Sequence, residues 1–176
     1  MTAHELQLVL EYCDRGSLGT LLKDYGGFRD EEGQLDYAAV LETAADIAKG
    51  MIHLHKNNIC HNDLKATNVM FKSEGSDGRG VRAKVVDFGL SVKLDPNATH
   101  TSDTFQGTRT HMVSNFWVNP GARFLFCLLI QAPEVMMEGK QSRAADVYSF
   151  GLTLWELITG GSPYKGRYLE LCLDCS

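Results

Sequence analysis

Apolar side chains recur along this chain at two spacings, which predict helices in some segments and strands in others. Between residues 35 and 57 they return every three or four positions, so we expect a long helix whose buried stripe is Val40, Ala44, Ile47, Met51 and Leu54. Segment 142–159 is apolar on most sides and predicts a buried helix. Alternating Leu6, Leu8 and Leu10 predict a strand over 5–12.

Residues that favour helix ends and turns mark the remaining elements. Ser17 is a good helix N-cap and predicts a short helix over 18–25. Two short apolar runs, 69–71 and 81–86, flank a glycine-rich segment and predict a hairpin with a long tip. Gly160 is expected to end the buried helix.

Charge and composition exclude some classes of partner. The chain has 176 residues, of which 44% are hydrophobic and 22% charged, an ordinary composition for one globular domain. A net charge of −5 argues against nucleic acid or an anionic membrane as partner. No apolar stretch is long enough to span a membrane, and the first residues lack a signal-peptide pattern. We therefore expect a cytoplasmic, reducing location.

The cysteines and histidines do not form a convincing metal pattern. An odd number of scattered cysteines predicts free thiols at Cys13, Cys60, Cys127, Cys172 and Cys175. The last two, spaced as C-x-x-C, are also compatible with half a zinc site or a redox pair, but no second Cys/His pair lies at zinc-ribbon spacing. His53 and His55 are expected to serve the helix end or packing.

The polar loop, defined here as residues 61–68, carries the candidate chemistry. Asp63 can orient a hydroxyl and accept its proton, while Lys65 can neutralise charge on a transferring phosphate. Asn68 and Asp87 offer the oxygen ligands that Mg²⁺ prefers. Asp87 directly follows a buried apolar run, where an acid is costly unless it is paired or bound to a metal, and this favours the metal role.

Five sequence blocks, in the expected order, resemble the motifs of protein kinases. The polar loop His61-Asn62-Asp63-Leu64-Lys65-Ala66-Thr67-Asn68 is similar to H-R-D-L-K-x-x-N, and Asp87-Phe88-Gly89 to D-F-G. The other three are a hinge-like block at 8–13, Ala132-Pro133-Glu134, and a D-V-W-S-F-G-like block at 146–151. The resemblance implies an α+β, mainly α, kinase-like fold: residues 1–16 as hinge and last small-lobe strand, and 17–176 as an incomplete large lobe.

The same resemblance implies an activity, two cofactors and a set of site residues. The activity is transfer of the γ-phosphoryl group of ATP, with Mg²⁺, to Ser or Thr of a protein substrate. Lys65 favours the Ser/Thr-directed class, with the tyrosine-kinase-like group as the nearest match, and Thr108 matches the position that bridges the catalytic Asp and Lys. The implied nucleotide contacts are Leu10 as gatekeeper, Glu11 and Cys13 through their backbone, Ser17 near the ribose and Met70 beneath adenine.

Three expectations concern the surroundings of the polar loop. Asp146 is expected to accept hydrogen bonds from the loop backbone, and His61 to stack on Phe88. Asn62 stands where many kinases have an Arg that meets a phosphate on the activation loop. Because Asn carries no charge, we expect no dependence on that phosphate switch.

Segment 113–131 interrupts the expected continuity between His111-Met112 and Ala132-Pro133-Glu134. Its seven consecutive apolar residues at 124–130 are foreign to a kinase surface. One hypothesis is a retained intron, since Val113-Ser114 and Gln131 have codons that resemble splice donor and acceptor ends. The other is a true insertion that reshapes the substrate groove. Residues 167–176 also depart from the kinase pattern.

The chain holds no G-x-G-x-x-G loop and no V-A-I-K-type lysine. We expect a longer gene product to supply the small lobe, and we expect this chain alone not to phosphorylate a generic basic protein. The alternative is a non-catalytic, kinase-like binding fragment or scaffold. The presence of all four polar residues of the catalytic set favours the enzyme.

Overall fold

A computed structural model describes residues 7–74, 80–102 and 131–163. Its helices in these ranges are α1 (Leu18–Tyr25), α2 (Tyr37–Lys56), α3 (Pro133–Glu138) and α4 (Arg143–Thr159). Its strands are β1 (Ile59–Cys60), β2 (Val69–Ser73), β3 (Val81–Val85), β4 (Val92–Lys93), β5 (His100–Thr101) and β6 (Gln141–Ser142). They form three antiparallel pairs, β1–β4, β2–β3 and β5–β6. The predicted mixture of helix and strand is confirmed.

Capping side chains set the helix boundaries. The Ser17 Oγ accepts a hydrogen bond from the Thr20 amide and begins α1, as predicted. Helix α2 begins two residues later than predicted, because Asp36 accepts from the Ala39 amide and acts as its N-cap. Helix α4 ends at Gly160, whose φ of 69° is the left-handed conformation that glycine adopts without strain.

The predicted stripe of α2 is the centre of the core. Four of its members are buried, and Leu54 is partly buried. They pack with buried side chains from α1, the β2–β3 hairpin and α4, namely Leu18, Val69, Phe71, Ala83 and Leu157. The polar loop leads from β1 into this hairpin, so the core fixes both of its ends.

The β2–β3 hairpin brings the two halves of the candidate site together. The predicted hairpin is confirmed, and its register pairs Val69 with Val85. At its open end the Val86 amide donates to the Asn68 carbonyl at 3.0 Å. Asp87 therefore leaves β3 directly beside the end of the polar loop.

The strand predicted over 5–12 is wrong for its described part. Residues 7–12 are neither strand nor helix, and Leu10, expected from the resemblance to be the gatekeeper, is 74% exposed. Alternation indicates a strand only where a neighbouring strand accepts its backbone hydrogen bonds, and within the described ranges the first backbone–backbone hydrogen bonds to β2 are those of Arg15 and Gly16. There the Arg15 amide donates to the Phe71 carbonyl, and the Phe71 amide donates to that of Gly16.

Some predictions lie outside the described residues: Thr108, segment 113–130, the tail 167–176 and three of the cysteines. The remaining two cysteines, Cys13 and Cys60, are free thiols, as predicted. Among the helices that are described, none has the length and apolar character needed to cross a membrane.

Candidate active site

Asp146, in the first turn of α4, is the buried anchor of the polar loop. Its side chain is 1% exposed and accepts hydrogen bonds from the His61 amide at 2.9 Å and the Asn62 amide at 2.9 Å. The Nε2 of His55 donates to the same carboxylate at 2.8 Å. Three donors offset the cost of burying this carboxylate, and the expected contact with the loop backbone is confirmed.

Three polar side chains of the loop form one hydrogen-bonded cluster. The Lys65 Nζ donates to both carboxylate oxygens of Asp63, at 2.9 and 2.7 Å. The Asn68 Nδ2 donates to the Asp63 backbone carbonyl at 2.8 Å and to its Oδ2 at 2.9 Å. The structure therefore brings Asp63, Lys65 and Asn68 together, and the side chains of the first two are less than a quarter exposed.

Asp87 joins this cluster through the residue before it. The Val86 amide donates to the Asn68 carbonyl, and the His61 Nε2 donates to the Val86 carbonyl at 3.1 Å. Asp87 itself has a φ of 66°, an uncommon conformation for a residue other than glycine. The next residue, Phe88, contacts His61 as expected, with ring centroids 5.4 Å apart, but the rings are tilted by 57° rather than stacked.

Asn68 and Asp87 offer oxygen atoms of the kind that suits a hard divalent cation. Both hydrogens of the Asn68 Nδ2 go to Asp63, so its Oδ1 is the end of the amide left for another ligand. Within the described residues, the exposed Asp87 carboxylate accepts a single hydrogen bond, from the Gly89 amide at 3.2 Å. No group of three His, Cys, Asp or Glu residues suited to a metal occurs in the described ranges. Two protein oxygens completed by phosphates and water fit Mg²⁺.

The expected nucleotide contacts are only partly brought together. Ser17 and Met70 are paired through an isolated β-bridge, although the Ser17 hydroxyl already serves as the α1 cap. Glu11 forms ion pairs with Lys72 and Lys84, and the Lys72 ammonium lowers the pKa of the Glu11 carboxyl. Leu10 is exposed, as described above, and Cys13 is half-buried.

Sequence reasoning missed two residues that support the loop. Glu156 of α4 is 8% exposed, accepts a hydrogen bond from the Ala66 amide, and has its pKa raised to about 7 by burial. The only sequence signal is an acid among the mainly apolar residues of the second half of α4. Gln141 is buried in β6 and accepts from the Asn62 side chain, a long-range contact without a local sequence signal.

Comparison with known proteins decides the family. A family model described as protein tyrosine and serine/threonine kinase matches residues 1–173. The chain belongs to the protein kinase family. The prediction made from the five ordered blocks is thus confirmed.

Individual kinases align over most of the chain. It is 35% identical to a probable serine/threonine-protein kinase, drkD, of Dictyostelium discoideum, covering 91% of this chain and 10% of the relative. It is 36% identical to the serine/threonine-protein kinase CTR1 of Arabidopsis thaliana, covering 90% and 16%. It is 31% identical to the serine/threonine/tyrosine-protein kinase HT1 of the same plant, and the alignment covers 90% of this chain and 33% of that relative. The chain thus spans between a tenth and a third of the length of these relatives.

Proposed function

We propose that this chain is part of the catalytic domain of a serine/threonine protein kinase, and that the complete domain transfers the γ-phosphoryl group of ATP to protein hydroxyls. The observation that carries the proposal is the Asp63–Lys65–Asn68 cluster, with Asp87 attached to it through Val86. The names of the relatives support Ser/Thr specificity, as does Lys65. The intact polar set argues against the scaffold alternative.

Each side chain of the cluster has a role that suits its contacts. Asp63 orients the substrate hydroxyl and accepts its proton, and Lys65, bonded to the same carboxylate, neutralises charge on the transferring group. Asn68 keeps the Asp63 carboxylate in place through its Nδ2. Because phosphoryl transfer depends on positioning and electrostatics, these fixed contacts are the protein's main contribution.

Asn68 and Asp87 would hold Mg²⁺, which supplies charge neutralisation on the phosphates when it is bound. Backbone groups of Glu11 and Cys13 would receive adenine, with Met70 beneath the ring and Ser17 near the ribose. Thr108, by resemblance, would link Asp63 and Lys65. The large-lobe assignment of residues 17–176 belongs to this proposal as well.

Calorimetric titration of the chain with ATP, with and without Mg²⁺, tests the proposal. We expect Mg²⁺ to strengthen ATP binding, and Asp87→Asn to remove most of that enhancement. Asn tolerates the positive φ of this position and keeps an oxygen for the Gly89 amide, so the change removes mainly charge. Asp95→Asn, at an exposed loop acid, is the matched control. An equal enhancement in Asp87→Asn, or none in the unmodified chain, would contradict the proposal.

The small lobe is supplied, we propose, by a longer gene product, and residues 113–131 derive from a retained intron. The greater length of the relatives supports the first part. Sequencing the mature transcript tests both: we expect a glycine-rich loop encoded upstream and a dominant message without the segment. A dominant message that carries the segment would instead favour an insertion in the substrate groove. In the longer product, Asp63→Asn should abolish transfer of labelled phosphate.

A further inference from the structure

Asn62 lies where three segments of the chain meet, and both hydrogens of its side-chain amide bind to other segments. The Nδ2 donates to the Leu90 carbonyl at 3.1 Å and to the Gln141 Oε1 at 3.2 Å. Its backbone amide donates to the Asp146 Oδ1 at 2.9 Å. The polar loop, the chain after β3 and the chain before α4 are thereby joined at one uncharged side chain.

The backbone at this position restricts which residues can form the bridge. Asn62 has a φ of 63°, where Asn, Asp and Gly are accommodated with the least strain. Its partner Gln141 is 7% exposed and lies in β6, which pairs with β5. The Gln141 acceptor is therefore fixed by its own strand, and the Asn62 amide is held through its nitrogen, with one hydrogen to Gln141 and one to Leu90.

One of the two bonds reaches the segment that carries Asp87. Leu90 is in the turn defined here as the Asp87 turn, residues 87–91, in which the Ser91 amide donates to the Phe88 carbonyl at 3.1 Å. Within it the Gly89 amide donates to the Asp87 Oδ1 at 3.2 Å. A bond that fixes the Leu90 carbonyl therefore limits the movement of the whole turn.

We propose that Asn62 is a positioning residue: its amide bridge holds the Asp87 turn in the arrangement that receives the metal–nucleotide complex. The inference rests on the proposed function of Asp87 and adds the device that orients it. In this arrangement an uncharged amide on the polar loop fixes the turn through backbone and side-chain carbonyls, with no phosphate needed as a partner.

Asn62→Gly tests the bridge without adding charge or strain, because glycine adopts the positive φ freely. The matched control is Asn58→Gly. Asn58 has a φ of 59°, close to that of Asn62, and its side-chain oxygen accepts a hydrogen bond from Arg143. The control substitution therefore removes a side-chain contact at the same kind of backbone conformation without touching the Asp87 turn. If Asn62→Gly fails to fold, Asn62→Asp keeps the shape and loses both donors, with Asn58→Asp as its control.

Hydrogen exchange measures the turn directly. We expect the Gly89 and Ser91 amides to exchange about five- to tenfold faster in the Asn62 variant, as the loss of the hydrogen bond to the Leu90 carbonyl predicts. The Asn58 variant should leave both rates unchanged. Equal rates in the Asn62 variant and the unmodified chain would overturn the bridge, as would equal acceleration in both variants.

Measurements of ATP affinity distinguish a positioning role of Asn62 from a role in stabilising the fold as a whole. In Asn62→Gly we expect ATP affinity without Mg²⁺ to stay unchanged, and the Mg²⁺ enhancement to fall about five- to tenfold. A residue that only stabilises the fold would weaken both affinities alike, and that result would overturn the positioning role. If Mg²⁺ strengthens ATP binding to Asn62→Gly as much as to the unmodified chain, the positioning role is also overturned, but the proposed function stands. Absence of any enhancement in the unmodified chain would instead contradict the proposed function, and the positioning role with it.

Discussion

Glu156 gives the fold a pH dependence whose size follows from its burial. The carboxyl is 8% exposed beneath the polar loop, and burial raises its pKa from 4.5 to about 7. The folded state therefore holds this proton more tightly than the unfolded state. The resulting stability is fully present below about pH 4.5 and is lost as the pH rises through 7. At 1.36 kcal/mol per pKa unit the loss is about 3 kcal/mol.

Glu156→Gln removes the titration and keeps a side-chain oxygen for the Ala66 amide. We expect the variant to be more stable than the unmodified chain by about 3 kcal/mol at about pH 8, with the difference vanishing near pH 4.5. Urea unfolding followed by far-ultraviolet circular dichroism, at intervals across this range, measures the difference.

The control is Glu138→Gln, an exposed acid of α3 paired with Lys140, whose ammonium lowers the pKa of the Glu138 carboxyl. This variant should not gain stability as the pH rises. Parallel stability curves for Glu156→Gln and the unmodified chain would refute the reasoning. They would show that the Glu156 carboxyl is hydrated or paired in the folded protein.

Two further predictions concern packing and thiol chemistry. Gly19→Ala should destabilise the fold, because the new Cβ would lie 2.8 Å from the Thr67 Cγ2. Gly151→Ala should instead stabilise α4 by about 1 kcal/mol, because a Cβ there would meet no neighbouring side chain within 4 Å. Urea unfolding compares the two variants. Burial raises the pKa of the Cys60 thiol to about 11, so iodoacetamide near neutral pH should label Cys13 and spare Cys60 until the protein unfolds. Peptide mass spectrometry checks this, and rapid labelling of Cys60 would contradict it.

Local signals in the sequence predicted the helices and the hairpin well. The α2 stripe and the Ser17 cap are encoded by residues a few positions apart, so spacing alone reveals them. The start of α2 shifted because Asp36 is the stronger cap available there. The polar loop was found because its residues are adjacent in sequence and their chemistry is specific.

Contacts between distant segments could not be predicted in the same way. The alternation before Tyr12 indicated a strand, but a strand also needs a partner, which local sequence does not reveal. The contact of Glu156 with Ala66 and that of Asn62 with Gln141 join residues about 80 to 90 positions apart. Their roles follow only from the folded arrangement.

Paramagnetic Mn²⁺, used in place of Mg²⁺, tests most directly whether one metal site unites the polar loop and the Asp87 turn. Mn²⁺ with a non-hydrolysable ATP analogue would be added to ¹⁵N-labelled protein, with the Mg²⁺ complex as the diamagnetic reference. We predict selective broadening of the Asn68 side-chain amide together with the Asp87 and Phe88 backbone amides, at Mn²⁺ well below the protein concentration. Broadening of only one of these segments, or of exposed acids elsewhere, would contradict the account.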